Sequence, residues 1–447
     1  MYLFSKLLTK KSDYFNLLLA AMPISFIAGN MIININTILL ILSTFILFGK
    51  NTITIKFYLI DKLIFLFFLL VIITSFSSDY YFYTNKLFHA TEPWMGHIST
   101  GIKSIFFLKY LLLYLVVRFL VEKQIINLKK FFIVCALCSL FVSFDIVIQF
   151  IFGKDIFGYE IVESSRKLGG PFGDELIAGS YIQRFSLFAF FVLPLYFNSP
   201  KFNKFNKFLL PLLFVLFSTT LILAGNRMPL LLFLFIFFLI FIFQKEVRKF
   251  FLHFIIIFTV IFSLLINVNS EIKANFKNFY MSISYIIFSS LKDDHDKEAK
   301  EISHLKEFNT FYNTWLMHKY IGGGIKNFRY FCHVRPNAKK DSRSVCNMHP
   351  HNYYLEILTE TGLLGFIIIL SVFSIALYKT FFKKYIFSTS LKENKIIIPF
   401  LFLFIAEIFP IKSTGSFFTT GNTTYIFLIL SILLALTRNE NLIENKS

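Results

Sequence analysis

The chain has 447 residues, is 56% hydrophobic with a mean hydropathy of +0.66, and is only 16% charged. An ordinary soluble chain is about 25% charged, so this composition excludes a cytosolic globular enzyme; it also excludes disorder, because abundant apolar surface offsets the entropy of ordering. The formal charge of +19, from 45 Lys+Arg against 26 Asp+Glu, reads as a basic bias toward one membrane face plus attraction to anionic headgroups, not as a nucleic-acid surface.

The expected fold class is therefore an all-α polytopic integral membrane protein. A bilayer core needs roughly 20 apolar residues per helix. Apolar runs fall at 14–29, 31–48, 59–75, 104–121, 131–152, 184–198, 208–224, 229–243 and 250–267, then at 353–378, 396–411 and 422–437. That predicts about 12 transmembrane helices, the first read as an uncleaved span because no small-residue cleavage site follows it. Alternate connections carry the basic residues, among them Lys10 and Lys11, Lys50 and Lys56, Arg118 and Lys123, Lys201 to Lys207, Arg248 and Lys249, Lys379 to Lys395, and Arg438. By the positive-inside rule these face the cytoplasm, together with both termini. Three regions follow: spans in 1–266, a large and partly helical outer loop in 267–351 before the tenth span, and spans again in 352–447. The outer loop holds the acidic run Asp293-Asp294-His295-Asp296 and a helical stretch from Phe308 to Tyr320, closed by Gly322-Gly323-Gly324. No lysine and hydroxyl residue follow these glycines at phosphate-loop spacing, so they read as a tight turn.

Residues suited to chemistry gather at the outer face. His349-Pro350-His351-Asn352 leads into the span at 353–378, and Pro350 favours an extended residue before it and a first helical turn after it. An imidazole at His351 can exchange a proton near neutral pH; its plainer reading is a histidine at a helix start. Arg227 sits in the very short turn Gly225-Asn226-Arg227, while Arg166 and Arg184 flank the glycine-rich stretch Leu168 to Ser180. Guanidinium forks suit phosphate oxygens, and the three together would surround a polyanion; singly, each can snorkel to headgroups or pair with a nearby acid. Lys109 and Asp145 lie inside apolar spans and are expected to pair or to face a cavity. Glu407 and Lys412 flank Phe409-Pro410 as a further polar pair. Cys332 and Cys346 fall in the outer loop, where an oxidising compartment favours a bridge worth roughly 3 kcal/mol in the chain-entropy model. Cys135 and Cys138 read as packing residues, and His318, His333, His349 and His351 match no standard zinc spacing.

These pieces resemble a known family. Histidine, then Asn, Ser or Gln, nine residues, and G-x-x-G marks the bacterial O-antigen ligase and polymerase superfamily. His351-Asn352 and Gly362-Leu363-Leu364-Gly365 stand at that spacing, with His349 beside them and Phe366 as a departure from the usual Thr or Tyr. Gly225-Asn226-Arg227 and Ile321 to Arg329 resemble further patches of the family. The resemblance implies a glycosyltransferase of the inner membrane with its active site at the periplasmic face. It would move a glycan from undecaprenyl pyrophosphate to the lipid A–core, inverting the anomeric centre and needing no metal or other cofactor. His351 would be the base, with Arg227, Arg166 and Arg184 on the donor pyrophosphate. A polymerase would use a second lipid-linked repeat as acceptor. A 12-span transporter or flippase is the reading from another class, favoured only by Lys109 and Asp145, since no internal repeat is present.

Overall fold

A computed structural model describes residues 12–84, 99–161, 167–196, 200–289, 303–335, 346, 351–388, 394–412 and 415–438. Among them there are helices and no strand, apart from one isolated antiparallel bridge between Lys154 and Glu160. Among the described residues six helices are long and apolar enough to cross a membrane, so the chain is a multi-pass membrane protein. Their outer faces carry large apolar side chains in the open, such as Ile46 (79% exposed) and Phe152 (74%), as expected where lipid is the solvent.

The first helices are α1 (Ser12–Ala28), α2 (Asn30–Phe48), α3 (Leu59–Thr84), α4 (Thr100–Phe107), α5 (Lys109–Glu122) and α6 (Leu128–Phe152). The predicted span at 184–198 is broken into α7 (Ala178–Phe185), a 3-10 turn at Ser186–Phe188, and α8 (Ala189–Tyr196), which carries Pro194 inside. Three pieces of this kind do not make one straight span, and the prediction of a single helix there is corrected. Next come α9 (Pro200–Leu223), α10 (Arg227–Phe243) and α11 (Lys245–Val268). The chain then bends by 113° into α12 (Ser270–Ser289), a helix within the partly helical outer loop where the sequence reading had placed a helix only near 308–320. Asn269 makes the bend possible, since its Oδ1 accepts the N–H groups of Glu271 and Ile272, both at 2.9 Å. The predicted helix near 308–320 is α13 (Ser303–Trp315), followed by α14 (Phe328–Val334). Last are α15 (Tyr353–Leu377, widening into a π-helix to Phe387), α16 (Ile397–Glu407) and α17 (Thr420–Arg438). Four apolar helices, Ser12–Ala28, Phe208–Leu223, Arg227–Phe243 and Ile397–Glu407, are shorter than a full span, so length and composition alone do not give twelve.

The core runs along α17, which is buried over most of its length against α5 and α16. Aromatic rings fill the space edge-on, for example Phe132 against Phe188 at 4.8 Å and Phe188 against Phe400 at 5.0 Å between centroids. At one end of α17, Arg438 joins a buried cluster with Asp61 of α3 and Arg118 and Glu122 of α5. Arg118 binds Asp61 at 2.7 Å and Glu122 at 2.6 Å, and Arg438 approaches Glu122 at 3.3 Å. The hydroxyl of Tyr114 donates to Asp61 as well. The other end of α17, about 27 Å away at 1.5 Å per residue, faces the candidate site.

Candidate functional site

Asn352 sets the start of α15. Its side-chain oxygen accepts the N–H groups of Tyr354 (2.9 Å) and Leu355 (3.1 Å), two donors that a helix leaves without partners. Its amide nitrogen donates to the carbonyl of Pro410 at 2.9 Å, and Tyr354 donates its hydroxyl to the carbonyl of Ile408. The motif helix is thereby tied to the loop after α16, and the half-buried His351 stands at its mouth.

One residue along, Tyr353 enters a buried network. Arg184, at the end of α7, donates to Glu407 at 3.2 Å (Nε) and 2.6 Å (Nη2), to the Tyr353 hydroxyl at 3.1 Å and to Asn422 at 2.7 Å, and lies over the Tyr425 ring. Lys412 donates to the same Glu407 oxygen at 2.6 Å and to the Tyr353 hydroxyl at 3.0 Å, and Tyr353 donates to Glu407 at 2.8 Å. One carboxylate thus faces two cations, so with Lys412 protonated the cluster carries one net positive charge. Burial pushes the Lys412 ammonium down to about 8, with Glu407 opposing the shift and Arg184 adding to it.

One and two turns further along α15 are Glu356 and Glu360, both buried. Glu356 accepts from the Ser416 hydroxyl and the Phe417 N–H. Both oxygens of Glu360 are without a hydrogen bond among the described residues. The helix then breaks at Gly362, with φ +66° and ψ −171°, where the 318–324 segment crosses it. Leu363 and Leu364 donate to the carbonyls of Lys319 (2.8 Å) and Tyr320 (3.1 Å), while Gly323 and Gly324 donate to those of Thr359 (3.0 Å) and Glu360 (2.8 Å). A Cβ at Gly362 would stand 2.4 Å from the Tyr320 carbonyl, and one at Gly322 would stand 2.4 Å from the Gly362 nitrogen. The first motif glycine and the Gly322-Gly323-Gly324 run are therefore two halves of one backbone contact. The second motif glycine, Gly365, follows in the continuing helix under Thr361.

Arg227 opens α10 after the Gly225-Asn226 turn. Its Nε donates to Asn275 of α12 at 2.7 Å, Asn275 donates to the Gly225 carbonyl at 3.2 Å, and the guanidinium lies 5.4 Å from the centre of the Phe279 ring. Asn226 binds the N–H of Gly179 (3.3 Å) and the carbonyl of Leu176 (3.2 Å), which seats α7 beneath the turn. Lys167 is near enough to feel Arg227: partial burial first, and that charge second, hold its ammonium below the ordinary lysine range. Phe235 of α10 meets Phe409 just past Glu407. Arg227 lies eight residues, or about 12 Å of helix, from that contact. Arg184 is engaged with Glu407, and Arg227 with Asn275.

Other expectations resolve differently. Lys109 and Asp145 are not partners: Lys109 donates to Asn34 at 2.7 Å, and Asp145 accepts the N–H of Ile156 at 2.8 Å. Asp145 lies one turn from Gln149, which accepts from Gly170 at 2.9 Å, so this stretch of α6 holds Ile156 and Gly170. Cys332 and Cys346 are joined, with Cα atoms 5.6 Å apart. Arg166 and His349 lie outside the described residues, as does the acidic run at Asp293. No group of three or more His, Cys, Asp or Glu that could hold a metal gathers among the described residues. Sequence reasoning missed Asn275, Asn422 and Tyr353, which carry no charge, and Glu356 and Glu360, whose spacing of four inside an apolar helix was a usable signal.

Beside this end of the bundle, between α1 and α6, an apolar cavity of about 630 Å³ is lined by Ile24, Ile27, Leu137, Phe141, Phe157 and Pro171.

Among known proteins, residues 212–370 match the family model described as O-antigen ligase, and no curated protein matches the chain. The matched stretch contains Arg227, Asn275, the Gly322–Gly324 crossing and the whole of His351 to Gly365. Over residues 212–370, about a third of its length, this multi-pass membrane protein is thus similar to the O-antigen ligase family.

Proposed function

We propose that the protein transfers a glycan from undecaprenyl pyrophosphate to a sugar hydroxyl of the lipid A–core, as a ligase. The observation that carries this reading is the coincidence of the family match with the fixed geometry around the motif helix: Asn352 anchors the mouth of α15, and His351 stands on it. In the proposed step the acceptor hydroxyl gives its proton to the His351 imidazole as its oxygen bonds to the anomeric carbon. The carbon–oxygen bond to the diphosphate breaks with its electron pair on the leaving group, and a single displacement inverts the centre.

Charge developing on the diphosphate needs preorganised cations. Arg227 and the neighbouring Lys167 suit this role, with Arg166 assigned beside them from sequence. Arg184, held by Glu407, fits the floor of the site, and the cluster's net positive charge supports the same anion from below. The apolar cavity shares the 167–171 loop with Lys167 and suits an isoprenoid tail. No metal or other cofactor is assigned a role. The site would face the periplasm of a bacterial inner membrane, in the twelve-span layout with both termini cytoplasmic. Two things favour this: the Cys332–Cys346 bridge, a bond kept in oxidising compartments, and the basic residues at the Arg118 end.

Purified protein supplied with a lipid-diphosphate glycan and a core acceptor is expected to lose transfer in His351→Ala with its melting temperature kept. Unchanged turnover would remove His351 from the mechanism. The family also contains polymerases, and a lipopolysaccharide gel from cells deleted for the gene separates the two readings. Core without any O-chain means a ligase; core capped by a single repeat means a polymerase.

A further inference from the structure

At the Arg118 end of the bundle, four cations gather around one ring. Asp61 stands at the third position of α3, and one of its oxygens accepts the Tyr58 N–H at 2.7 Å, which closes the helix start and fixes Tyr58 just before it. Arg438 lies 4.2 Å from the centre of the Tyr58 ring and Arg118 lies 5.8 Å from it, and both arginines are paired with acids. Lys56 and Lys379 reach the same ring, each with its ammonium 5.6 Å from the centroid. These two are placed by their backbones. Arg118 donates to the Lys56 carbonyl, and Lys379 rides on the π-helical extension of α15, which Lys384 ties to the Thr437 carbonyl at the end of α17. Asp61 and Glu122 are committed to the two arginines, and among the described residues neither Lys56 nor Lys379 has an acid at ion-pair distance. Four cations against two acids leave this rim with two positive charges in excess.

Two unneutralised ammonium groups suit a phosphate, whether free in solution or carried by a lipid. The flanking residues decide between these sources. Phe57 and Leu59 on either side of Tyr58, and Tyr378 and Phe382 beside Lys379, all expose large apolar faces. Such faces belong against acyl chains and not in water. The start of α3 and the ends of α5 and α17 meet at this level, which marks a bilayer boundary, and basic pockets between membrane helices at that depth take anionic headgroups.

We propose that Lys56 and Lys379, set around Tyr58, bind the phosphate of an anionic phospholipid headgroup, with the acyl chains along Phe57 and Phe382. The site lies at the opposite end of α17 from the motif helix and does not depend on the donor assigned there. The full-length protein would be placed in phosphatidylcholine nanodiscs with phosphatidylglycerol added in steps. Retained lipid is read by native mass spectrometry, and stability by melting temperature. Wild type should retain phosphatidylglycerol over phosphatidylcholine. Lys56→Gln and Lys379→Gln should each weaken that preference about fivefold, and the double variant more than twentyfold. Replacing both lysines with arginine should keep it, since the charge stays. Lys123→Gln removes the same charge from an exposed position at the end of α5 and should leave the preference within twofold. An equal loss in Lys123→Gln would mean that lipid answers only to the general basic bias, and would overturn the site, as would a wild type without preference. Inorganic phosphate added to pure phosphatidylcholine nanodiscs is expected to leave the melting temperature unchanged. A rise that Lys56→Gln abolishes would assign the rim to a soluble anion and overturn the lipid. If Lys379→Gln does not fold, Lys56→Gln, at an exposed side chain, decides alone: a preference within twofold of wild type rejects the proposal.

Discussion

The two buried charge clusters at the ends of α17 differ in their balance. At the Arg118 end, two acids, Asp61 and Glu122, face two bases, Arg118 and Arg438, and the ring of contacts closes α3, α5 and α17 together. At the motif end, Glu407 alone faces Arg184 and Lys412. Burying a charge costs several kcal/mol unless it is paired, so a balanced cluster is intelligible as architecture alone. The unbalanced one carries a cost that architecture does not require, and such departures mark functional ground.

The comparison can be broken by mutation. Glu407→Gln should have the largest effect, since it leaves two buried cations beside each other with no acid between them. A loss of about 3–5 kcal/mol in thermal unfolding of the solubilised protein is expected, with transfer abolished. Arg118→Met should cost somewhat less, about 3 kcal/mol, because Arg438 and Tyr114 still serve the acids. Turnover per folded molecule should be kept; if it falls as it does in Glu407→Gln, the two ends are not functionally distinct. The smallest effect is in pH. The folded Lys412 ammonium is held at about 8, below its ordinary value, so between that pH and the ordinary lysine range the unfolded chain binds a proton that the folded chain has lost. Stability should therefore rise with pH through this window in the wild type relative to Lys412→Met. Parallel melting curves across pH 8 to 10 would show that Lys412 does not set the charge excess.

Composition and periodicity made the helical, membrane-embedded class legible, and the spacing from His351 to Gly365 carried the resemblance to the family that residues 212–370 match. Three things were out of reach, each because it depends on a contact between distant residues. Arg184 looked like a free phosphate ligand, yet its counter-ion is 223 positions away. Lys109 and Asp145 looked like a pair because both were charged in apolar runs, whereas an asparagine side chain and a loop amide satisfy them separately. Asn275 carries no charge and sits in a stretch read as loop, so nothing in one dimension marked it as the holder of Arg227. Span lengths misled for a related reason: residues such as Pro194 and Asn269 redirect the chain without lowering its mean hydropathy.

The crossing at Gly362 bears on how the protein is made. The upper turns of α15 and the 318–324 segment complete each other's backbone hydrogen bonds, so neither is a finished structure alone. The carbonyls of Lys319 and Tyr320 leave the ribosome before Leu363 and Leu364, and the contact can close only when both strands of chain lie on the same side of the bilayer. A topology error in α15 would leave its amides at the break without acceptors, in a medium with no water to replace them. The glycine pair thus ties the completion of α15 to the placement of the 318–324 segment, ahead of any chemistry at His351.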